Sequence, residues 1–322
     1  MANTSRSVIS RENTEFYDRT LLFRAVPFLV HTKFAQVRDI PRNGGTNVIK
    51  FRRYGNLSAA TTALVEGVTP AGSSLSVTDV TATVAQYGDY ITITDVIDYE
   101  SKDPVLIETA EILGDQMGDT LDQLTRDVIA AGSVVQYAGA SSNSRDTVGS
   151  TDLIDVDDIK IAVRTLKNAK ARKITRMINA STGIATEPVN ASYIGLCHPN
   201  TTYTLKGLTG FTSVEKYAST VSVMEGEIGK IDEVRFIEST NCKTFTGGEG
   251  SITVYATIIL GMDAYGITRI SGEAVKNIVK PLGSAGTADP LEQRATSGWK
   301  ATFVAKILND AFMVRIEHAV AA

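Results

Sequence analysis

Histidine, tryptophan and cysteine are scarce in this 322-residue chain, at three, one and two residues. Two cysteines, Cys197 and Cys242, cannot build a disulfide scaffold, so a reducing site of synthesis is expected. No apolar run reaches the ~18 residues of a membrane span, which argues against a membrane partner. The opening MANTSRSVISRENTEF lacks the apolar core of a signal peptide, and export is not expected. An excess of one charge is missing too. Lys+Arg is 32 and Asp+Glu 36, a formal charge of −4, which disfavours a dedicated nucleic-acid binder. Disorder of the whole chain is excluded, because 43% of the residues are hydrophobic and can form a core. At ~100–200 residues per domain, the length suits two lobes, or one lobe with long appendages.

Charge is distributed unevenly. Residues 1–53 hold ten basic and four acidic residues, a net of +6. Residues 87–127 hold eleven Asp/Glu against Lys102 and Arg126, a net of −9. A basic arm and an acidic body in one chain suit complementary contact, within one copy or between copies. A solvated basic face would have the same composition.

Along the chain, residues 15–30 have helical potential that Pro27 limits, and Pro41–Gly45 signals a turn. Asn47–Arg53 and Val77–Asp95 read as strands, the second broken at Gly88. Between them, residues 55–76 are built from Gly, Ser, Thr and Ala with no period. So long a loop is unusual inside a compact domain, and fits a hairpin that projects and orders against another subunit. The strongest periodic signal is Asp103–Ala131. Asp103 suits an N-cap and Pro104 the first turn. Leu106, Ala110, Leu113, Met117, Leu121, Leu124, Val128 and Ala131 then recur every three or four residues, up to a stop at Gly132. Gly114 and Gly118, four apart, suit either close approach of another element or simple tolerance. A second helix is predicted over Val156–Lys170, with Asp155, Asp157 and Asp158 at its start and Lys167, Lys170, Arg172 and Lys173 at its end. That distribution complements the helix dipole without invoking a metal or a nucleic acid. Strands are predicted at Ile174–Asn179, Tyr193–Cys197, Val234–Glu238, Ser251–Leu260, Gly266–Ile270, Ala301–Ile307 and Phe312–His318. The last two are expected to form a hairpin through Leu308–Ala311. Helices and strands do not alternate regularly, so the fold class is α+β.

The chain carries no signature of catalysis. There is no Walker A sequence, no G-x-S-x-G elbow and no H-E-x-x-H. Gly247–Gly250 precedes a strand and cannot cradle a phosphate as a helix start would. His31, His198 and His318 are far apart, and adjacent Cys197 and His198 point to opposite faces of a strand. No catalytic residue, cofactor or metal is therefore expected. A basic arm, a projecting hairpin and a long helix fit a self-assembling structural protein.

Several segments, in order, resemble the major capsid proteins of tailed bacteriophages, in particular the family typified by the capsid protein of phage N-four. They include Pro41–Tyr54 (PRNGGTNVIKFRRY), Glu66–Pro70, Gln86–Asp95 (QYGDYITITD) and Asp103–Leu113 (DPVLIETAEIL). Cys197–Pro199, Val214–Ala218, Gly226–Ile231, Val234–Glu238, Lys280–Arg294 (KPLGSAGTADPLEQR), Trp299–Asp310 (WKATFVAKILND) and Met313–Glu317 extend the likeness over nearly the whole chain. The resemblance implies the HK97-like fold, with an N-terminal arm at 1–45 and an extended hairpin loop at 46–95. A peripheral domain at 96–175 would carry a spine helix at 103–131. A β-rich axial domain at 176–265 would precede a return to the peripheral domain at 266–322. It implies hexamers and pentamers forming an icosahedral shell around double-stranded DNA held without sequence-specific contacts. Scaffold, portal and decoration proteins are candidate partners. The protein would be made in the host bacterial cytoplasm and end in the virion capsid. A compartment shell of encapsulin type, packaging protein cargo, is the rival within the fold. An enzyme with an unfamiliar site is the rival outside it. Arg52 and Arg53 are the expected inter-subunit contacts. Adjacent strand residues face opposite ways, so at least one should meet a partner's carboxylates.

Overall fold

The structure is a computed structural model. It describes residues 29–41, 46–55, 57–96, 105–139, 143–179, 185–217, 223–270, 275–284 and 289–321. The arm as far as residue 28, most of the turn at 41–45 and the Asp103–Pro104 helix opening lie outside the described residues.

The chain enters through β1 (Gln36–Ile40) and forms a hairpin from β2 (Val48–Tyr54) and β3 (Val77–Thr83), then β4 (Ala85–Thr94). The spine helix α1 (Val105–Ala130) follows, then β5 (Val135–Tyr137) and α2 (Val156–Asn168). Next come β6 (Ile174–Asn179), β7 (Ala185–Cys197), α3 (Pro199–Gly207), β8 (Thr212–Ser213), β9 (Glu227–Ile231) and β10 (Val234–Glu238). The chain ends with β11 (Thr244–Thr246), β12 (Thr253–Leu260), β13 (Tyr265–Ile270), β14 (Val275–Lys280), β15 (Arg294–Ile307) and β16 (Met313–His318).

Two sheets organise these strands. In the spine sheet, β15 pairs antiparallel with β4 along one side and with β14 and β13 along the other, and β1 joins β13 in parallel. β15 can do this because it is 14 residues long and buried over most of its length, on both faces at 297–299 and 301–303. Ala295, Ser297, Trp299, Ala301, Phe303 and Ala305 are all buried, and the residues at 299–305 receive Leu113, Met117 and Leu121 of α1. Each large side chain so buried contributes about 1.5–3 kcal/mol relative to exposure. The small Ala301 and Ala305 let a helix of about 39 Å, at ~1.5 Å per residue, lie close on the sheet. The predicted stripe is visible here, with Ala110, Leu113, Met117 and Leu121 buried; Gly114 and Gly118 are buried as well.

The second sheet runs β5-β16-β12-β7-β10-β9-β8, with β11 attached to β12 and β6 to β7. α2 packs on it through Ile159, Ala162, Val163 and Leu166, against Tyr193, Phe236, Ile259, Val314 and Ile316. Asp155 caps α2 reciprocally with Asp158, so the acids at this helix start act as the dipole reading expects. A third cluster joins the two layers. Ile129 and Ala130 at the end of the spine helix meet Ile194, Leu196, Ile258, Tyr265 and Met313.

Two local expectations are corrected. The last two strands form no hairpin, because β15 belongs to the spine sheet and β16 to the other. Segment 266–322 is thus divided between both sheets. The link is pinned elsewhere: the N–H groups of Leu308 and Asn309 both donate to Ala264 O at 2.9 Å, and Gly261 N–H donates to Phe312 O at 2.8 Å. These bonds draw the chain across the joint instead of back along β15. Second, the break in 77–95 falls at Val84, while Gly88 continues β4 opposite Lys300. Gly88 is needed for proximity, since a Cβ there would lie 2.5 Å from the Trp299 carbonyl oxygen. Gly298, between Tyr90 and Ile278, is similar: its Cβ would sit 2.7 Å from Tyr90 Cβ and 2.9 Å from Asp89 O. Gly298→Ala should therefore destabilise the chain by about 1–3 kcal/mol, because main chain cannot yield as a flexible side chain would. An unchanged denaturant midpoint would show that the sheet relaxes freely.

Candidate functional site

The hairpin is the feature that leaves the body. β2 and β3 pair in full register from Val48↔Thr83 to Tyr54↔Val77, and Gly55 N–H closes the ladder on Ser76 O at 2.9 Å. Only its base is fixed by burial, through Phe51, Ala82 and the following Val84. Beyond the ladder, residues 57–76 form no strand or helix and every one is exposed. Leu64 at 78%, Val65 at 67% and Val68 at 62% have no core of their own. Small residues, a few bare aliphatics and no local shelter leave this segment exposed apolar surface that the rest of the described chain does not cover.

The two expected contact residues lie on β2. Arg52 is directly opposite Asp79 on β3, and its Nε and Nη2 donate to the two carboxylate oxygens at 3.0 and 3.4 Å. This pair holds the Arg52 pKa above and the Asp79 pKa below their ordinary ranges, the mutual hydrogen bond being the largest cause of each shift. Arg53 is exposed and makes no ion pair among the described residues. Both line a cleft of about 540 Å³ at the hairpin base, together with Arg38, Lys170, Arg172 and the apolar Phe51 and Phe312. Charge counting singled out Arg52 and Arg53; it missed that three more cations from distant segments join them. The helix-dipole reading of Lys170 and Arg172 does not foresee this cleft. Of that basic run, Lys167 and Lys173 are occupied by Glu233 at 2.6 and 3.1 Å.

The scarce reactive residues are all placed in the interior or at caps. His31 N–H and Nδ1 donate to the two oxygens of Asp122, each at 2.7 Å, and Asn241 Nδ2 adds a third bond at 3.3 Å. Cys242 Sγ lies 3.8 Å from His31 Nε2. Cys, His and Asp in a row resemble a nucleophile with its base, but His31 and Asp122 are fully buried and burial pushes the Cys242 thiol well up. The cluster ties the arm root to the spine helix and does not present a nucleophile. Cys197 is buried, with its thiol pushed up to about 12 by desolvation. His198, just past the end of β7, caps α3 by accepting from Asn200 N–H at 3.2 Å, with Pro199 in the first turn. His-Pro was a legible helix start that the strand reading overlooked. No group of three or more potential metal ligands occurs among the described residues.

His318 has a measurable consequence. Its Nδ1 is 2.7 Å from Ala319 O and so carries the hydrogen, leaving Nε2 to accept from Thr257 Oγ1 at 2.9 Å. Burial pulls its pKa from 6.5 down to about 4. The unfolded chain therefore binds a proton that the folded chain does not between those values. Stability from this group is complete above pH 6.5 and is lost progressively as pH falls through 4, by roughly 3 kcal/mol in all. His318→Gln should flatten the fall in the thermal midpoint between pH 6.5 and 4; an unchanged slope would mean other groups carry it.

With two sheets, a long helix on one of them and a free hairpin, the chain can be compared with known proteins. The family model for phage capsid proteins matches residues 77–316. The chain belongs to the phage capsid protein family. As a capsid protein it is structural and not an enzyme, and its place is the bacteriophage virion. The chain aligns with a major capsid protein of Pseudomonas phage KPP21 at 32% identity over 124 residues, 37% of this chain and 31% of that protein. It thus spans about a third of the length of that curated relative. The capsid of Ralstonia phage GP4 superposes with a TM-score of 0.70 at 12% identity, covering 91% of this chain and 89% of that one. The cyanophage Pam1 capsid superposes with a TM-score of 0.65 at 15% identity, covering 93% and 92%. At such identities the likeness is one of fold, the HK97-like capsid fold expected from the sequence.

Proposed function

We propose that this capsid protein is the shell-forming subunit of a tailed-phage head, assembling as hexamers and pentamers into an icosahedral container for double-stranded DNA. Its segments suit the branch typified by the phage N-four capsid protein. The carrying observation is the hairpin, whose outer half is wholly exposed and rises from a folded body of the capsid family. In this reading 1–45 is an arm, 46–95 the extended hairpin, 96–175 and 266–322 peripheral, and 176–265 axial. The hairpin reaches a neighbouring copy, and Arg52 and Arg53 at its base meet that copy's carboxylates. Scaffold, portal and decoration proteins are further partners. Electron microscopy of the purified protein tests the reading: closed shells or capsomers are expected. Strictly monomeric protein at high concentration, in light scattering and sizing, would overturn it. Hydrogen exchange over 57–76 should be fast in free subunits and slow in shells.

A further inference from the structure

The helix α2 separates charge along its length, and the surroundings of its two ends amplify the separation. At its start, Asp146, Asp155, Asp157 and Glu249 are all exposed. Two bonds tie the segment that follows Asp146 to Glu249 and to the turn that precedes Asp155: Glu249 N–H donates to Val148 O at 2.9 Å, and Gly149 N–H to Asp152 Oδ2 at 2.9 Å. The cations within that corner neutralise only part of it. Arg145 is committed to Glu317 at 2.8 Å, and Lys160 meets Asp157 alone, at 3.2 Å. Crowding is evident at half-buried Asp158, whose pKa is raised first by burial and further by Asp155 and Asp157.

At the other end of α2 lies the hairpin-base cleft. Arg38, Arg53, Lys170 and Arg172 are exposed in it without an ion pair among the described residues. Its one lining carboxylate that could answer them, Asp263, is 3.9 Å from Arg176. The two ends are about 20 Å apart, at ~1.5 Å per residue over 13 residues, so they cannot meet within one chain. Opposite patches on different parts of one subunit make a heterologous contact, which closes into a ring when the rotation between copies is right.

We propose that the acidic corner at the start of α2 in one copy seats in the arginine-lined cleft at the hairpin base of the next copy, so that each subunit gives one patch and receives the other around a capsomer ring. This rests on the reading of the chain as a self-assembling shell subunit, and names the carboxylates that Arg52 and Arg53 approach. Guanidinium forks suit carboxylates bidentately, and the apolar floor at Phe51 and Phe312 lowers the local dielectric. Phosphates of DNA are the competing occupant of a basic cleft. They would leave the acidic corner without a role.

Charge reversal separates these cases. Arg53→Glu/Arg172→Glu reverses the cleft, and Asp157→Lys/Glu249→Lys reverses the corner while sparing the Asp155 cap. Each double variant should keep its circular dichroism and thermal midpoint but lose association, read by sedimentation at low salt, by at least about tenfold. Mixed one to one, the two variants should associate again, because every contact then pairs opposite charges. The four-fold reversal should also recover. Wild type that associates while cleft or corner reversal changes nothing would overturn the pairing. So would loss of association that neither the mixture nor the four-fold variant restores. Loss on cleft reversal alone, with the corner variant assembling normally, would assign the cleft to DNA or another anion and equally overturn it. Wild type that fails to associate at all would instead overturn the shell reading on which the proposal rests.

Discussion

Glu317→Ala should destabilise the folded subunit by about 3–5 kcal/mol, because it strands buried guanidinium charge. Glu317 is fully buried on β16. Arg145 Nε and Nη2 both donate to it at 2.8 Å, and Arg315 Nε donates at 2.9 Å. The Arg145 guanidinium also stacks 3.6 Å above the Phe245 ring. Arg315 then extends to the spine helix, where its Nη1 donates to Ala130 O and, at 3.2 Å, to Gly132 O. The last turn of α1 has no basic residue of its own. Its free carbonyls and negative dipole end are satisfied by an arginine from the other sheet. Loss of Glu317 thus loosens the joint between the layers as well as a local ion pair. Arg145→Ala should cost less than Arg315→Ala, since the Arg145 side chain is 34% exposed and that of Arg315 10%. Equilibrium urea unfolding measures all three. A Glu317→Ala loss below about 1 kcal/mol would show that the network contributes only as an exposed pair does.

Joining Gly55 to Ser76 directly through an Asn-Gly turn, without residues 56–75, should leave the body folded and abolish shell formation. Residues 57–75 of the excised part are all exposed within their own chain, so they carry no core contact that could be lost. Shortening the loop changes closure entropy by only about 1–2 kcal/mol. The thermal midpoint should therefore move little, while the yield of closed particles by electron microscopy falls to background. Normal particles from the shortened chain would mean that the hairpin is dispensable. A collapsed midpoint would mean that the loop supports the body instead.

Local patterning determined more of this protein than its site. The apolar stripe from Ala110 to Leu121, the start of α2 at Val156 and the strands at 174–179 and 234–238 all lie where period and charge pattern put them. Each depends on residues within a turn or two of one another, so the chain carries that information locally. β1, β9 and β14 were not anticipated. They are short, half-exposed segments whose hydrogen bonds come from partners such as β13, β10 and β15, and pairing of that kind has no local signal. The same reason explains the misread ending: Leu308–Ala311 has turn-like residues, yet its partner is Ala264. Charge counting along the chain singled out Arg52 and Arg53. Only the tertiary structure gave Arg52 its Asp79, brought Arg38, Lys170 and Arg172 to the same cleft, and set Arg145 on a carboxylate 172 residues away. Long-range ion pairs depend on how layers stack, and a sum of charges holds no record of which of them meet.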